Sequence, residues 1–144
     1  MKYQTIIYHD VKTHLPSIYR WEIFDTEGRL FAVYIGKASN PNDGRPVPRY
    51  ENNVRNLLTG RKPLNGSSFR GIHAALAFVA IREYRIHLSY LANSVDLNYT
   101  ENEFIERLNT KGDNPWQTND KNAQTWCTES GVDWNWLRNA GQTD

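Results

Sequence analysis

Cysteine and methionine are nearly missing from this chain of 144 residues, with one of each. The lone Cys127 excludes an internal disulfide framework and any multi-cysteine zinc site, and it fits a reducing, cytoplasmic compartment. Long apolar runs are missing too. None approaches the roughly 20 residues that a membrane helix needs. The N-terminal MKYQTIIYHD lacks the apolar core of a signal peptide, so no membrane partner is expected. There is no Gly-rich phosphate loop and no Ser/His/Asp arrangement, and His9, His14 and His87 show no metal-ligand spacing. A large net charge is also lacking, since the formal balance is only +1.

Aromatic side chains, by contrast, are plentiful. Five Trp and eight Tyr exceed what a core of this size needs, so some are expected to face a partner. With 39% apolar and 23% charged residues, the chain reads as one soluble globular domain. The small net charge hides an uneven distribution. Lys37 to Arg70 holds seven Lys/Arg against Asp43 and Glu51, a local excess of five. From Gly112 onward, five acids face only Lys121 and Arg138. A basic middle points to an anionic partner, of which nucleic acid is the usual one, and a solvated loop and helix accounts for it equally well.

Two β-rich runs, IYRWEIF (18–24) and RLFAVYI (29–35), flank Asp25-Thr26-Glu27-Gly28, which has the residues of a type I turn. The resulting hairpin brings Tyr19 and Tyr34 together at its open end, and QTIIYHDV can add an edge strand before it. A loop rich in Asn, Pro and Gly follows. A helix is then predicted over RYENNVRNLLTG, with Val54, Leu57 and Leu58 as its buried stripe. RGIHAALAFVAIREY is apolar nearly all round and is expected to be the central buried helix, with His73 a core histidine. RIHLSYLANSV alternates as a third strand, and Thr100-Glu101-Asn102-Glu103 has the form of a capping box opening a last helix. The expected fold is therefore a small three-stranded antiparallel sheet flanked by helices in the order β-β-α-α-β-α. Residues 1–117 form the domain, including the N-terminal strand extension, and residues 118–144 form an aromatic C-terminal tail with one short helix.

Two features carry chemistry. Gly36 ends a strand just before Lys37, and a glycine there permits close approach of a backbone or phosphate. Glu101 shares a helical face with Ile105 and Leu108, so it starts on the core side. A carboxylate there must be paired, near solvent or metal-bound; the bland account is the helix dipole acting at the first turn.

Taken in order, SIY (17–19), YIG (34–36), Arg49 on the next helix and Glu101 on a later one resemble the GIY-YIG nuclease superfamily over residues 17–117. YIGK and IHAAL are most similar to small phage endonucleases and restriction enzymes of that group, and ENEFIERLNTK to the metal-glutamate helix of its homing endonucleases. The resemblance implies a divalent-metal-dependent endonuclease acting on double-stranded DNA, with Mg²⁺ as cofactor and Mn²⁺ able to substitute. It assigns catalytic roles to Tyr19, Tyr34, Lys37, Arg49 and Glu101, with Glu101 also the single metal ligand and Gly36 the motif glycine that makes room for DNA backbone. Arg45, Arg55, Arg61, Lys62 and Arg70 are the expected DNA-binding residues, and Arg45 rivals Arg49 for the arginine role. The sequence departs from the pattern at Ser17, where the motif has glycine, and at Asn53, where the family often has His or Tyr one turn after the arginine. A late asparagine also recurs in the family, and Asn114, Gln117 or Asn119 can fill its place. A double-strand cut would need a homodimer or two binding events. The alternative to an enzyme is a non-catalytic nucleic-acid-binding or interaction module on the same scaffold.

Overall fold

The computed structural model describes residues 1–39 and 46–142, and Arg45 lies outside them. Four strands, β1 (Gln4–Ile7), β2 (Ser17–Phe24), β3 (Leu30–Ala38) and β4 (Arg85–Asn93), form one mixed sheet in the order β1-β4-β2-β3. The expected three-stranded antiparallel sheet is present as β4-β2-β3, but it is incomplete as a description. The N-terminal segment adds β1, which runs parallel to β4 with Gln4 opposite His87. The β2–β3 turn closes as expected, with Gly28 N–H donating to the Asp25 carbonyl at 3.0 Å. The Asp25 carboxylate accepts from the Glu27 and Arg29 amides, each at 2.9 Å.

Alternation along the strands sends side chains to two different layers. Tyr19, Trp21 and Ile23 of β2, with Ala32 and Tyr34 of β3, face the main core. That core is completed by α1 (Pro46–Leu58), α2 (Gly71–Ala80), α4 (Ala123–Ser130) and α5 (Trp134–Asn139). Ile18, Ile35 and Leu91 face the other way and pack against Phe104, Ile105 and Leu108 of α3 (Leu97–Leu108). A bulge in the β2–β4 ladder sets Ile18 opposite Ala92 and Tyr19 opposite Tyr90, leaving Leu91 as the extra residue.

Two expectations about the C-terminal half need correction. The last large helix does not open at Thr100. It opens at Leu97, capped by the Asp96 carboxylate, which accepts from Tyr99 N–H at 3.3 Å. Asp is as good a cap as Thr, and Thr100 instead spends its hydroxyl on Ser94 Oγ at 2.6 Å. Nor is the segment after residue 117 a peripheral tail with one helix. It forms α4 and α5, whose Trp126 and Leu137 are fully buried in the main core. Trp126 packs against Phe31 and Phe78, 5.9 and 6.2 Å from them centroid to centroid. No helix among the described residues is long and apolar enough to cross a membrane.

Because Trp126 fills the core, Trp126→Ala is expected to lower the unfolding free energy by about 3–5 kcal/mol in urea denaturation. A change within about 0.5 kcal/mol would instead mark the segment as an appendage.

Candidate functional site

The strongest local constraint at the open end of the hairpin is steric. Tyr19 pairs across the ladder with Gly36, and Trp21 with Tyr34, so all four share one face of the sheet. The Tyr19 ring lies flat over Gly36. A β-carbon on Gly36 would stand 2.5 Å from the phenol oxygen and 2.7 Å from Cε1. Gly36 therefore makes room for a tyrosine ring of its own protein.

Helix α1 brings a second tyrosine to the first. Tyr50, Val54 and Leu57 lie at i, i+4 and i+7 and form the buried stripe. Tyr50 donates to or accepts from Tyr19, oxygen to oxygen, at 2.8 Å. It also packs edge-on against Trp21 at 5.3 Å and His73 at 5.5 Å. The same register settles the fate of Arg49. One residue away is about 100° of helix rotation, so Arg49 is exposed and its guanidinium meets the Asn65 side chain outside the cleft. Arg49 does not join the other expected catalytic residues, and Asn53 is occupied in accepting from Leu64 N–H at 2.9 Å.

Arg70, unlike Arg49, lines the cleft beside Tyr34. It precedes α2, and its Nη1 donates to the Tyr34 hydroxyl at 3.0 Å. Its backbone is anchored twice: Arg70 N–H donates to His73 Nδ1 at 3.1 Å, and Gly71 N–H to the Lys121 carbonyl at 2.6 Å. His73 follows one turn after Arg70. Since its Nδ1 accepts, the imidazole proton is on Nε2. Burial, reinforced by the Arg70 charge, pushes the His73 pKa down to about 4, so the ring is neutral.

On the other side of the sheet edge, Lys37 Nζ lies 3.7 Å from Glu101 Oε1 and also meets Asn98 Oδ1. Glu101 sits in the second turn of α3, beyond the reach of a dipole effect confined to the first. Its half-burial raises its pKa against the pull of Lys37.

The segment after α3 closes the site. Asn119 pairs with β3 as a strand residue would, accepting from Ile35 N–H and donating to the Ile35 carbonyl, each at 2.8 Å. Thr118 Oγ1 donates to the Val33 carbonyl at 2.7 Å beside it. Asn114 and Gln117 are engaged in the preceding loop, where Gln117 accepts from Asn114 N–H at 3.1 Å. Of the three, Asn119 alone lines the cleft.

Tyr19, Tyr34, Lys37, Arg70, Glu101 and Asn119 thus line one polar cleft of about 490 Å³. Tyr50 supports it from beneath, a residue that reading for arginine overlooked although its place at the head of the α1 stripe was legible. Of the expected DNA-binding residues, Arg70 is in the cleft, Arg61 and Lys62 line an adjoining groove, and Arg55 is on a separate surface near Met1 and Gly141.

The electrostatics of the tyrosines follow from their burial. Burial raises the pKa of Tyr19, and Tyr34 raises it further. Tyr34 is also raised by burial, though Arg70 opposes the shift. Both are neutral phenols in the free protein. Because Arg70 donates to the Tyr34 oxygen, the Tyr34 proton is free to be donated elsewhere. Among the described residues no cluster of three or more His, Cys, Asp or Glu forms. Glu101 and the nearby Asp120 are the cleft's carboxylates. Such a donor set fits a hard cation that takes its remaining ligands from water and substrate, as Mg²⁺ does, and does not fit a preformed zinc site. Comparisons with protein-family models, with curated proteins and with solved structures find no match for the chain.

The depressed His73 pKa makes stability depend on pH. The unfolded chain binds a proton below about 6.5 that the folded site refuses down to about 4. The stability present above pH 6.5 is therefore lost as pH falls to 4, by about 3 kcal/mol at most. His73→Gln, which keeps an acceptor for Arg70 N–H, is expected to flatten the unfolding free energy over that window; parallel curves would mean that His73 is not held neutral.

Proposed function

We propose that the protein is a divalent-metal-dependent DNA endonuclease hydrolysing phosphodiester bonds in double-stranded DNA. The gathering of Tyr19, Tyr34, Lys37, Arg70 and Glu101 in one cleft carries the reading. These residues come from four separate elements, and the types gathered match what phosphodiester hydrolysis requires. Water attacks phosphorus, one P–O ester bond breaks, and the leaving oxygen takes up a proton. Such a site must grip the phosphoryl oxygens, orient the water and neutralise developing charge.

Arg70, held by Tyr34 and by its backbone anchors, is the group that grips the phosphoryl oxygens. Its planar fork suits two oxygens at once. The Tyr34 hydroxyl, already accepting from Arg70, donates its proton to a phosphoryl oxygen or to the water. Tyr19 is kept from turning by Gly36 below and Tyr50 beside it, so its hydroxyl is a fixed orienting group. Both phenols work as neutral hydrogen-bond donors in the ground state, not as standing phenolates. Lys37 supplies positive charge beside the substrate and balances Glu101 in its absence. Glu101 is the residue that would hold Mg²⁺ or Mn²⁺, and the bound cation would supply Lewis-acid charge neutralisation. Asn119 holds β3 straight where Gly36 and Lys37 meet the cleft.

In this reading Arg70 takes the role that the sequence resemblance gave to Arg49, and His73 takes the place one turn after it where Asn53 had seemed out of pattern. One cleft cuts one strand, so a double-strand break takes two chains or two encounters.

Supercoiled plasmid nicking with Mg²⁺ tests the assignment. Arg70→Ala and Glu101→Gln are each expected to slow nicking by about 10²-fold or more. Arg49→Ala is expected to slow it by less than about tenfold, as for a side chain outside the transition-state contacts. Nicking undiminished in both of the first two variants would sink the proposal, and DNA binding without nicking in the wild type would assign the scaffold to a binding module.

A further inference from the structure

We propose that a second groove, running on from the cleft, binds the DNA strand flanking the scissile phosphate, and that the C-terminal helices build its wall. The word scissile rests on the nuclease reading; the groove's affinity for DNA does not.

The groove, of about 310 Å³, lies between the loop after α1 and the starts of α4 and α5. Ser68, Phe69 and Asn122 line both it and the cleft, so the two form one continuous path past Arg70. Arg61, Lys62 and Arg138 contribute positive charge, and among the described residues no acidic side chain lines the groove. Three acids of the C-terminal segment are engaged elsewhere. Asp120 pairs with Lys111 at 3.2 Å and Glu129 with Lys121 at 2.5 Å. Asp133, next to the groove's Trp134, caps α5 by accepting from Trp136 N–H at 2.9 Å.

The three cations differ in what they do. Arg138 is spent on structure: it donates to the Leu57 carbonyl at 3.0 Å and to the Arg61 carbonyl at 2.5 Å. Its guanidinium also lies over the Phe69 and Trp134 rings, at 5.2 and 5.4 Å. A cation on the last carbonyls of a helix is favourable, and here it fixes the turn that carries Arg61 and Lys62. Those two side chains are exposed and, among the described residues, have no ionic partner. Two uncompensated cations, set side by side on a turn held from behind, suit two phosphates of one strand. Serine hydroxyls and amides supply further donors, and Trp134 supplies an aromatic wall of the kind that accepts a sugar or base face. A linear polyanion leaving Arg70 past Ser68 meets this turn next.

The test reads binding of a fluorescein-labelled DNA duplex by anisotropy, without divalent metal so that nothing is cut, from about 50 to about 300 mM NaCl. Arg61→Ala/Lys62→Ala is expected to weaken binding about tenfold at low salt and to reduce the slope of log affinity on log salt by about two. The control Arg29→Ala/Arg85→Ala removes the same charge from the far end of the sheet and is expected to leave the slope within about half a unit of wild type. An unchanged slope in the Arg61/Lys62 variant, or an equal loss in the control, overturns the proposal. A wild type that nicks plasmid while the Arg61/Lys62 variant binds like wild type refutes the groove alone. A wild type that binds with the predicted slope difference but never nicks upholds the groove as a DNA surface and refutes the enzyme.

Discussion

The paired hydrogen bonds between the Asn119 amide and the Ile35 backbone hold the candidate site together. Strand β3 is an edge strand, and an open edge leaves backbone donors and acceptors without partners. Asn119 supplies a donor and an acceptor at 2.8 Å each, as a neighbouring strand would. The segment that carries it is thereby pinned along β3. From there the Lys121 carbonyl reaches Gly71 N–H, and Asn122 bridges to Arg70. The hairpin with its tyrosines and the helix start with its arginine are thus joined through one short stretch of chain. With the Arg70–Tyr34 hydrogen bond, it ties the two halves of the cleft together above the apolar core.

Burial then sets the chemistry. Tyr19, Tyr34 and Tyr50 lie between the sheet and α1, and desolvation keeps all three protonated. The cleft's positive charge comes from Arg70 and Lys37, each held by a polar partner that leaves further donors free. Steric and electrostatic demands meet at Gly36. Removing its side chain lets the Tyr19 ring lie flat, and the flat ring brings its hydroxyl to Tyr50. Gly36 is thus explained by internal packing.

Much of this was legible in the sequence. The hairpin, its Asp25–Gly28 turn, the buried α2 and the alternating β4 follow from local periodicity and turn chemistry, which act over a few residues. The common face of Tyr19 and Tyr34 follows from strand alternation, and the inward start of Glu101 from helical spacing. The α1 stripe also held information that a motif search passed over. If Val54 and Leu57 are buried then Tyr50 is too, and Arg49 beside it is turned away. The capping box at Thr100 misled because Asp96 offers an equally good cap one turn earlier.

The sequence by itself determined which residues face which way along each element, because side-chain direction is a property of helix and strand geometry. It determined the α/β order and the presence of tyrosine, lysine and glutamate on faces able to meet. Only the tertiary structure decided that Arg70 enters the cleft in place of Arg49, that Asn119 closes the sheet edge, and that β1 and the two C-terminal helices belong to the packed body. Each of those outcomes rests on contacts between residues far apart in the chain, such as Ile35 and Asn119, or Leu57 and Arg138. Such pairings depend on the competition among all buried surfaces at once, and no local pattern encodes them.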